Sequence, residues 1–360
     1  MPGGVGIRSL AVAFPASVRT NDYFRENYPE LVATAESRSL AQVFSPQDEK
    51  VRLDTWEREM APYLADPFRG AVERRILAPG ETALDLEARA ARRALDAAGL
   101  DVADVDLAIV TSFMPDQLGP GNAAYLAREL GMRGTAWNVE SACSSGLVSL
   151  ETATALVEAG RYEIVLVVIS CTYSRVSDYS DTLAWFWGDG AGAFVVGRTP
   201  EGVGVMGSMS TNTASTCDTF SNHIVVDEHG EPHIRTTASK ATGRILRDTA
   251  EASLRETCEG ALACAGVDLL DIDFFVCNSP VAWYPQFCAR VLGLTPDKTI
   301  STYPLYSNVG PALLTTNLFH GARDGLIKEG DLVLVYTIGS VSTAGASVMR
   351  WGQVGLGPLP

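Results

Sequence analysis

The sequence predicts an α/β fold assembled from two copies of one unit, and three observations carry that prediction. Apolar runs of strand length, Val105–Phe113 and Ile164–Cys171, are unbroken in the manner of strands buried on both faces. Amphipathic helical stretches separate them, which is the alternation of an α/β chain. The order then recurs within the chain. Val105-Asp-Leu-Ala-Ile-Val110 has a counterpart in Ile272-Asp-Phe-Phe-Val276, and Ala127-Arg-Glu-Leu-Gly131 in Ala289-Arg-Val-Leu-Gly293. Glu158-Ala-Gly160 matches Lys328-Glu-Gly330, and Ala191-Gly-Ala193 matches Ala344-Gly-Ala346. The halves are expected at residues 1–198 and 199–360.

In chain order, Gly6–Phe14 reads as a first strand stopped by Pro15; with Arg8 in its middle and no basic leader, it does not read as a signal peptide. Residues 16–79 are rich in charge and aromatics (Tyr23, Phe24, Tyr28, Trp56, Tyr63, Phe68) and predict short surface helices, a candidate cap over a pocket. Thr82-Ala-Leu-Asp85 has the form of a capping box, and Leu84, Ala88, Ala91 and Leu95 follow on one helical face before Gly99. Residues 105–113 form a buried strand, and residues 123–130 a short helix ended by Gly131. Next, a short β-type run, Ala136–Val139, leads through Ser141-Ala-Cys-Ser-Ser-Gly146 into a mostly apolar helix reaching Ala159. The strand Ile164–Cys171 precedes a loop, 172–187, that carries Tyr173, Tyr179, Trp185, Phe186 and Trp187. Gly188-Asp-Gly-Ala-Gly-Ala193 lacks the Lys-Ser/Thr of a phosphate loop and precedes a strand, Phe194–Gly197, so it reads as a tight strand entry. In the second half, Tyr306-Ser-Asn-Val-Gly-Pro-Ala312 feeds a helix over 311–326 and occupies the place that the Cys143 turn has in the first.

Composition narrows the function. A net charge of −15 argues against nucleic-acid and anionic-membrane partners, which require a basic face. No apolar run approaches membrane-spanning length. The seven cysteines (143, 171, 217, 258, 264, 277, 288) contain no CxxC pair, which fits free thiols in a reducing, cytoplasmic setting. No metal is expected, because the four histidines (223, 229, 233, 320) make no ligand spacing with them.

Cys143 is the candidate nucleophile. A helix N-terminus supplies unpaired N–H groups and a dipole that favour thiolate, and small neighbours admit a thioester carbonyl toward the Cys143 N–H. Asn308, ahead of the equivalent helix, is expected either to hydrogen-bond a substrate carbonyl near Cys143 or to form an ordinary N-cap or Asx turn.

Taken together, Glu73-Arg-Arg-Ile76, Thr82–Asp85 with its helix, Ser141–Gly146, Gly188–Ala193, Ser307-Asn-Val-Gly310 and Gly339-Ser-Val-Ser-Thr-Ala-Gly345 resemble the thiolase-like condensing enzymes. Their nearest likeness is to β-ketoacyl-acyl-carrier-protein synthase III. The resemblance implies a five-layered αβαβα fold, usually a homodimer, whose cysteine takes an acyl group from coenzyme A or a carrier protein, with no further cofactor. Carried over, it makes Cys143 the acylated nucleophile, the N–H groups of Cys143 and Ser340 the oxyanion hole, and Asn308 the family asparagine. It places Trp185, Phe186 and Trp187 near the acyl pocket and the dimer contact. One position departs. After Phe274–Val276 the family has a histidine, where this chain reads Cys277-Asn-Ser-Pro-Val-Ala282. Asn278 can donate a hydrogen bond to an enolate but cannot act as a base near neutrality. Replacement of the histidine by one of His223, His229 and His233 is the alternative. The segment 69–75 is altered as well, so a carrier-protein donor stands level with coenzyme A. The expected activity is transfer of an acyl group through S-acyl-Cys143 to a small-molecule or carrier acceptor in a specialised polyketide- or fatty-acid-like pathway. The alternatives are decarboxylating Claisen condensation and a catalytically silent partner subunit.

Overall fold

The computed structural model describes residues 3–44, 54–117, 119–227 and 229–360. The chain opens with β1 (Gly4–Ala13), β2 (Val18–Thr20), α1 (Asn21–Asn27), α2 (Pro29–Phe44), α3 (Thr55–Met60), β3 (Glu73–Arg75) and α4 (Ala83–Ala98). It continues through β4 (Leu107–Phe113), α5 (Ala123–Leu130), β5 (Thr135–Asn138), α6 (Ser145–Glu158), β6 (Val165–Thr172) and β7 (Asp189–Thr199). Beyond these lie β8 (Gly204–Asn212), β9 (Phe220–Val226), β10 (Pro232–Ala238), α7 (Thr242–Ala265), β11 (Phe274–Cys277) and α8 (Tyr284–Leu292). The last elements are α9 (Tyr303–Tyr306), α10 (Leu313–Arg323), β12 (Leu332–Ile338), β13 (Thr343–Arg350) and β14 (Gly355–Leu356).

Two sheets have the same plan. One runs β14-β1-β7-β6-β4-β5 and the other β8-β13-β12-β11. The order β1-β7-β6-β4 therefore corresponds to β8-β13-β12-β11, and the sense of every pair agrees: the first two pairs are antiparallel and the last is parallel. Buried side chains divide into layers that match. Leu86, Ala90 and Leu126 of α4 and α5 pack on Ala108, Val110 and Val168 at the outer face of the first sheet. Between the sheets, Leu147 and Leu150 of α6 and Leu314 and Leu318 of α10 meet Ile109 and Val167 on one side and Val333 and Val335 on the other. Leu254 of α7 and Phe287 of α8 cover Phe275, Leu334 and Val348 outside the second sheet. The fold is a five-layered αβαβα arrangement of two duplicated α/β units.

Local chemistry sets the boundaries. Thr82 and Asp85 exchange capping-box bonds, and Gly99 ends α4 in the left-handed region at φ 65°. The glycine run behaves differently from its sequence reading. Residues 189–193 lie inside β7, and a Cβ at Gly192 would sit 2.1 Å from Thr315 Oγ1. Small residues are needed there because α10 crosses the strand at close range. The helix expected over 311–326 is a 3₁₀ turn, Gly310–Ala312, followed by α10, which ends at Arg323.

The 16–79 region folds over the site. Phe24 of α1 and Phe68 pack with Trp185 of the aromatic loop, and Trp56 of α3 meets Trp283 with ring centroids 4.5 Å apart. Arg74 of the Glu73-Arg-Arg-Ile76 motif is fully buried and ties the two parts together, donating to Asn21 Oδ1 and to the carbonyls of Arg19 and Trp185. Burial lowers its guanidinium to about 10. Part of this region, residues 45–53, lies outside the described residues.

Candidate active site

Parallel strands present their carboxyl ends to one side, where α/β sheets hold their ligands. Here β4, β5 and β6 are parallel, as are β11 and β12. Cys143 follows β5, Tyr173 follows β6, Asn278 follows β11 and Ser340 follows β12.

The small residues around Cys143 form a fastened turn. Ser145 Oγ accepts from Ser141 N at 2.7 Å and donates to Ala142 O at 2.7 Å. Ser144 Oγ donates to Thr343 O at 2.6 Å, and Ser141 Oγ lies 2.8 Å from Ser342 Oγ and donates to Thr343 Oγ1 at 3.0 Å. Thus the Ser141–Gly146 and Gly339–Gly345 motifs clasp one another across the two halves. Gly339 makes the contact possible: a Cβ there would approach Ser141 O to 2.9 Å. Ala142 pays a conformational cost, at φ 47°, in holding Cys143 at the apex. Among the described residues, no backbone acceptor faces the N–H of Cys143 or of Ser340.

Cys143 borders a cavity of about 300 Å³. Phe113, Tyr173, Leu183, Phe186 and Trp187 line it from the first half, and Pro280, Trp283, Tyr284, Asn308, Ile338 and Ser340 from the second. Trp56 and Arg69 of the cap, together with Phe220, Asn222 and Thr236 of the β9–β10 hairpin, complete the wall. The cap expected over the pocket therefore contributes directly to it.

Asn308 is in place. Its N–H donates to Phe186 O at 2.8 Å, its carbonyl accepts from Gly188 N at 3.0 Å, and its Oδ1 accepts from Gly310 N at 2.8 Å. The aromatic loop thereby fixes the asparagine backbone. The Oδ1 bond orients the amide, and Nδ2 has no protein acceptor among the described residues.

Two expectations need correction. Asn278 does not line the cavity; it is fully buried, with Nδ2 donating to Ile338 O at 2.9 Å and Oδ1 accepting from Ile338 N at 3.0 Å. Its amide completes the end of β12 instead of facing a substrate. Trp185 also lies away from the cavity, fully buried among Phe24, Phe68 and Tyr303, while its neighbours Phe186 and Trp187 line it. The intervening 3₁₀ turn, Thr182–Phe186, rotates the three consecutive aromatics to different sides.

Comparison with known proteins agrees with this geometry. The family described as 3-oxoacyl-[acyl-carrier-protein] synthase III matches residues 137–214, and its C-terminal family matches 262–351. The N-terminal domain family of beta-ketoacyl synthase matches 96–174. The beta-ketoacyl-[acyl-carrier-protein] synthase III of Brucella suis is 33% identical over 292 residues, covering 78% of this chain and 88% of that protein. That of Rhodospirillum rubrum is 33% identical over 304 residues, covering 82% and 90%. This chain belongs to the β-ketoacyl-acyl-carrier-protein synthase III family. Among solved structures, the synthase III of Thermus thermophilus superposes with a TM-score of 0.79 at 26% identity, covering 97% of this chain and 99% of that one. OleA of Xanthomonas campestris shares the fold at a TM-score of 0.77 and 21% identity, covering 97% and 98%. The chain is accordingly a thiolase-like condensing or acyl-transferring enzyme, a transferase.

Within this synthase III family member the electrostatics of the cysteine differ from the sequence expectation. Burial against aromatic walls pushes the Cys143 thiol up to about 11, a nearby Glu140 adds to the rise, and a hydrogen bond with Tyr173 opposes it. Burial outweighs the contribution expected of the helix N-terminus, because α6 starts only at Ser145 and Cys143 borders an apolar cavity. No histidine supplies the missing function. His223, His229 and His233 are exposed on or beside the β9–β10 hairpin, and His320 pairs with Tyr306 at 3.1 Å; none lines the cavity. Tyr173 is the site residue the sequence left unmarked among the loop aromatics. Its position one residue beyond a buried parallel strand was the available signal.

Proposed function

We propose that this protein moves an acyl group from a coenzyme A or carrier-protein thioester through S-acyl-Cys143 to an acceptor in a specialised pathway. In the first step the Cys143 sulfur attacks the thioester carbonyl and the donor thiol departs with the proton that Cys143 gives up, so one thioester and one thiol exchange partners. The N–H groups of Cys143 and Ser340 would receive the oxyanion. Asn308 Nδ2, held by the Gly310 contact, would bind the carbonyl of the incoming partner. In the second step a hydroxyl, amine or carrier thiol attacks the acyl-enzyme and regenerates the Cys143 thiol.

The observation that carries this reading is that Cys143 and Asn308 line one apolar cavity, with Asn278 turned away to Ile338. Enolate formation from a malonyl thioester profits from two amide or imidazole donors on one oxygen, and here Asn308 alone faces the cavity from the positions of the family pair. Transfer therefore ranks ahead of condensation. Decarboxylating Claisen condensation is the second reading, favoured by the unbonded Asn308 Nδ2, which suits an enolate oxygen. The relatives named as acyl-carrier-protein synthases support a carrier protein as one partner. A homodimer is expected by the same kinship.

Intact-protein mass spectrometry after incubation of wild type and Cys143→Ala with a panel of acyl thioesters, malonyl included, tests the reading. A mass gain confined to wild type, without release of carbon dioxide, supports transfer. Carbon dioxide released from the malonyl donor shifts the assignment to condensation. Failure of every donor to label Cys143 sinks both and leaves a silent partner subunit.

A further inference from the structure

We infer that Tyr173 is a catalytic residue of this site, its phenol hydroxyl acting as the hydrogen-bond donor that holds and stabilises the Cys143 thiolate where the family histidine is missing. The inference rests on the reading of Cys143 as the nucleophile and adds the group that makes it usable. Tyr173 borders the same cavity as Cys143, and its side chain acts on the Cys143 thiol in the direction that favours the thiolate. Nothing about its placement is loose. Its ring stacks on Trp187 with centroids 4.9 Å apart at 18°, and Phe113 meets it edge-on at 5.6 Å. The turn that carries it is pinned from behind: Ser174 N and Oγ both donate to Asp189, whose other oxygen bond is from Leu77 N at 2.7 Å. Asp189 belongs to the Gly188-Asp-Gly motif, so this motif acquires a task in orienting Tyr173. Thr172, just before, is anchored to Met114 O at 2.5 Å.

Chemically the pair is well matched. Burial and the neighbouring Cys143 and Cys171 push the Tyr173 phenol well above its ordinary range, so it stays protonated and remains a donor. A donor aimed at sulfur stabilises the thiolate and not the thiol, and so offsets part of the desolvation cost in an aromatic cavity. Tyr173 keeps its proton throughout. The remaining titratable groups cannot take this part. Glu140, ahead of the turn, and Cys171, on β6, both disfavour negative charge on the pair; Asp189 faces away toward Ser174 and Leu77, and Arg69 across the cavity binds the carbonyls of Tyr63 and Leu64. Tyr284 and Tyr303 also line the cavity, but neither is among the groups that act on the Cys143 thiol.

The test is the alkylation rate of Cys143 by iodoacetamide between pH 7.5 and 9.5, read by peptide mass spectrometry so that exposed Cys217 and Cys264 are counted separately. It needs no acyl donor, so its failure and failure of the acyl-transfer reading are distinguishable. Tyr173→Phe keeps the ring stacking and is expected to lower the Cys143 rate about tenfold at each pH, the equivalent of one unit in thiol acidity, with an unchanged melting temperature. Site-specific 3-fluorotyrosine at position 173, a more acidic phenol in the same fold, is expected to raise the rate several-fold. A Cys143 rate that is the same in wild type and both variants overturns the inference, and so does a Tyr173→Phe rate that exceeds wild type.

Discussion

Asn278 and Ile338 bracket one another with two hydrogen bonds, amide to carbonyl at 2.9 Å and backbone N–H to amide oxygen at 3.0 Å, across the ends of adjacent parallel strands. The side chain thus acts as an extra rung of the ladder. Asn278→Ala strands a buried N–H and a buried carbonyl, which costs about 2–5 kcal/mol in all. Urea unfolding is expected to show that loss, while the rate of Cys143 acylation in the folded fraction stays within about twofold of wild type. An acylation rate lowered far beyond the loss of folded protein would return Asn278 to the active site.

Asn308 divides its two ends between structure and chemistry. Oδ1 receives the Gly310 N–H, while Nδ2 of this cavity-lining residue has no protein acceptor among the described residues. Asn308→Asp preserves the acceptor and removes the donor, whereas Asn308→Ala removes both. Both variants are expected to lower the second, acceptor-dependent step about 100-fold, the scale on which lost carbonyl donors are felt. The Asp variant should hold its melting temperature more closely than the Ala variant. Single-turnover transfer from preformed acyl-enzyme separates this effect from the first step; equal turnover in all three proteins would remove Asn308 from the mechanism.

Gly192 lies under Thr315 so closely that any added Cβ falls 2.1 Å from Oγ1 and 2.4 Å from Cβ of that residue. Gly192→Ala must push α10 off β7 and is expected to cost about 1–3 kcal/mol in chemical denaturation. Because α10 follows directly on the Asn308 loop, a loss of transfer activity should accompany the loss of stability. Full stability in the variant would mean that the helix yields freely at this crossing.

Much of this fold was legible because its determinants are local or periodic. Thr82, Asp85 and Gly99 delimit α4 through caps that depend on near neighbours alone. The duplication was visible because each unit repeats the same strand-to-helix punctuation. The Cys143 turn was legible for a related reason, since serines and glycine in sequence are what a clasped, close-packed turn requires. What sequence could not resolve depends on partners far along the chain. Asn278 answers to Ile338, sixty residues on, and its role as a rung is invisible until both strands are in place. Which of Trp185, Phe186 and Trp187 faces the cavity turns on a 3₁₀ twist. The raised pKa of Cys143 comes from burial by walls that other segments contribute, Phe113 and Trp187 among their lining residues, and a helix-terminus argument considers only the segment to which the cysteine belongs.

Glu87 gives the stability of the fold a pH dependence that has nothing to do with catalysis. This carboxyl is fully buried between α4 and the first sheet, where Ser112 and Ser170 each donate to Oε1 at 2.6 Å and Asn122 to Oε2 at 3.0 Å. Desolvation outweighs the three donors and, with Asp116 adding to it, raises the group from 4.5 to about 7. A folded-state value above the unfolded one means that the folded protein holds this proton more tightly. The associated stability is fully present below pH 4.5 and is lost as pH rises through about 7, a change on the order of 3 kcal/mol. Asp189, raised by burial to about 6, adds a loss of the same sign over a lower window and remains in both proteins compared. Glu87→Gln cannot ionise, and a flipped Asn122 can accept from its amide. Urea midpoints at pH 5, 6, 7 and 8 should show the Gln variant gaining on wild type as pH rises, with most of the gain between pH 5 and 7. A difference between the two proteins that is constant across the series would mean that Glu87 titrates alike in the folded and unfolded chains.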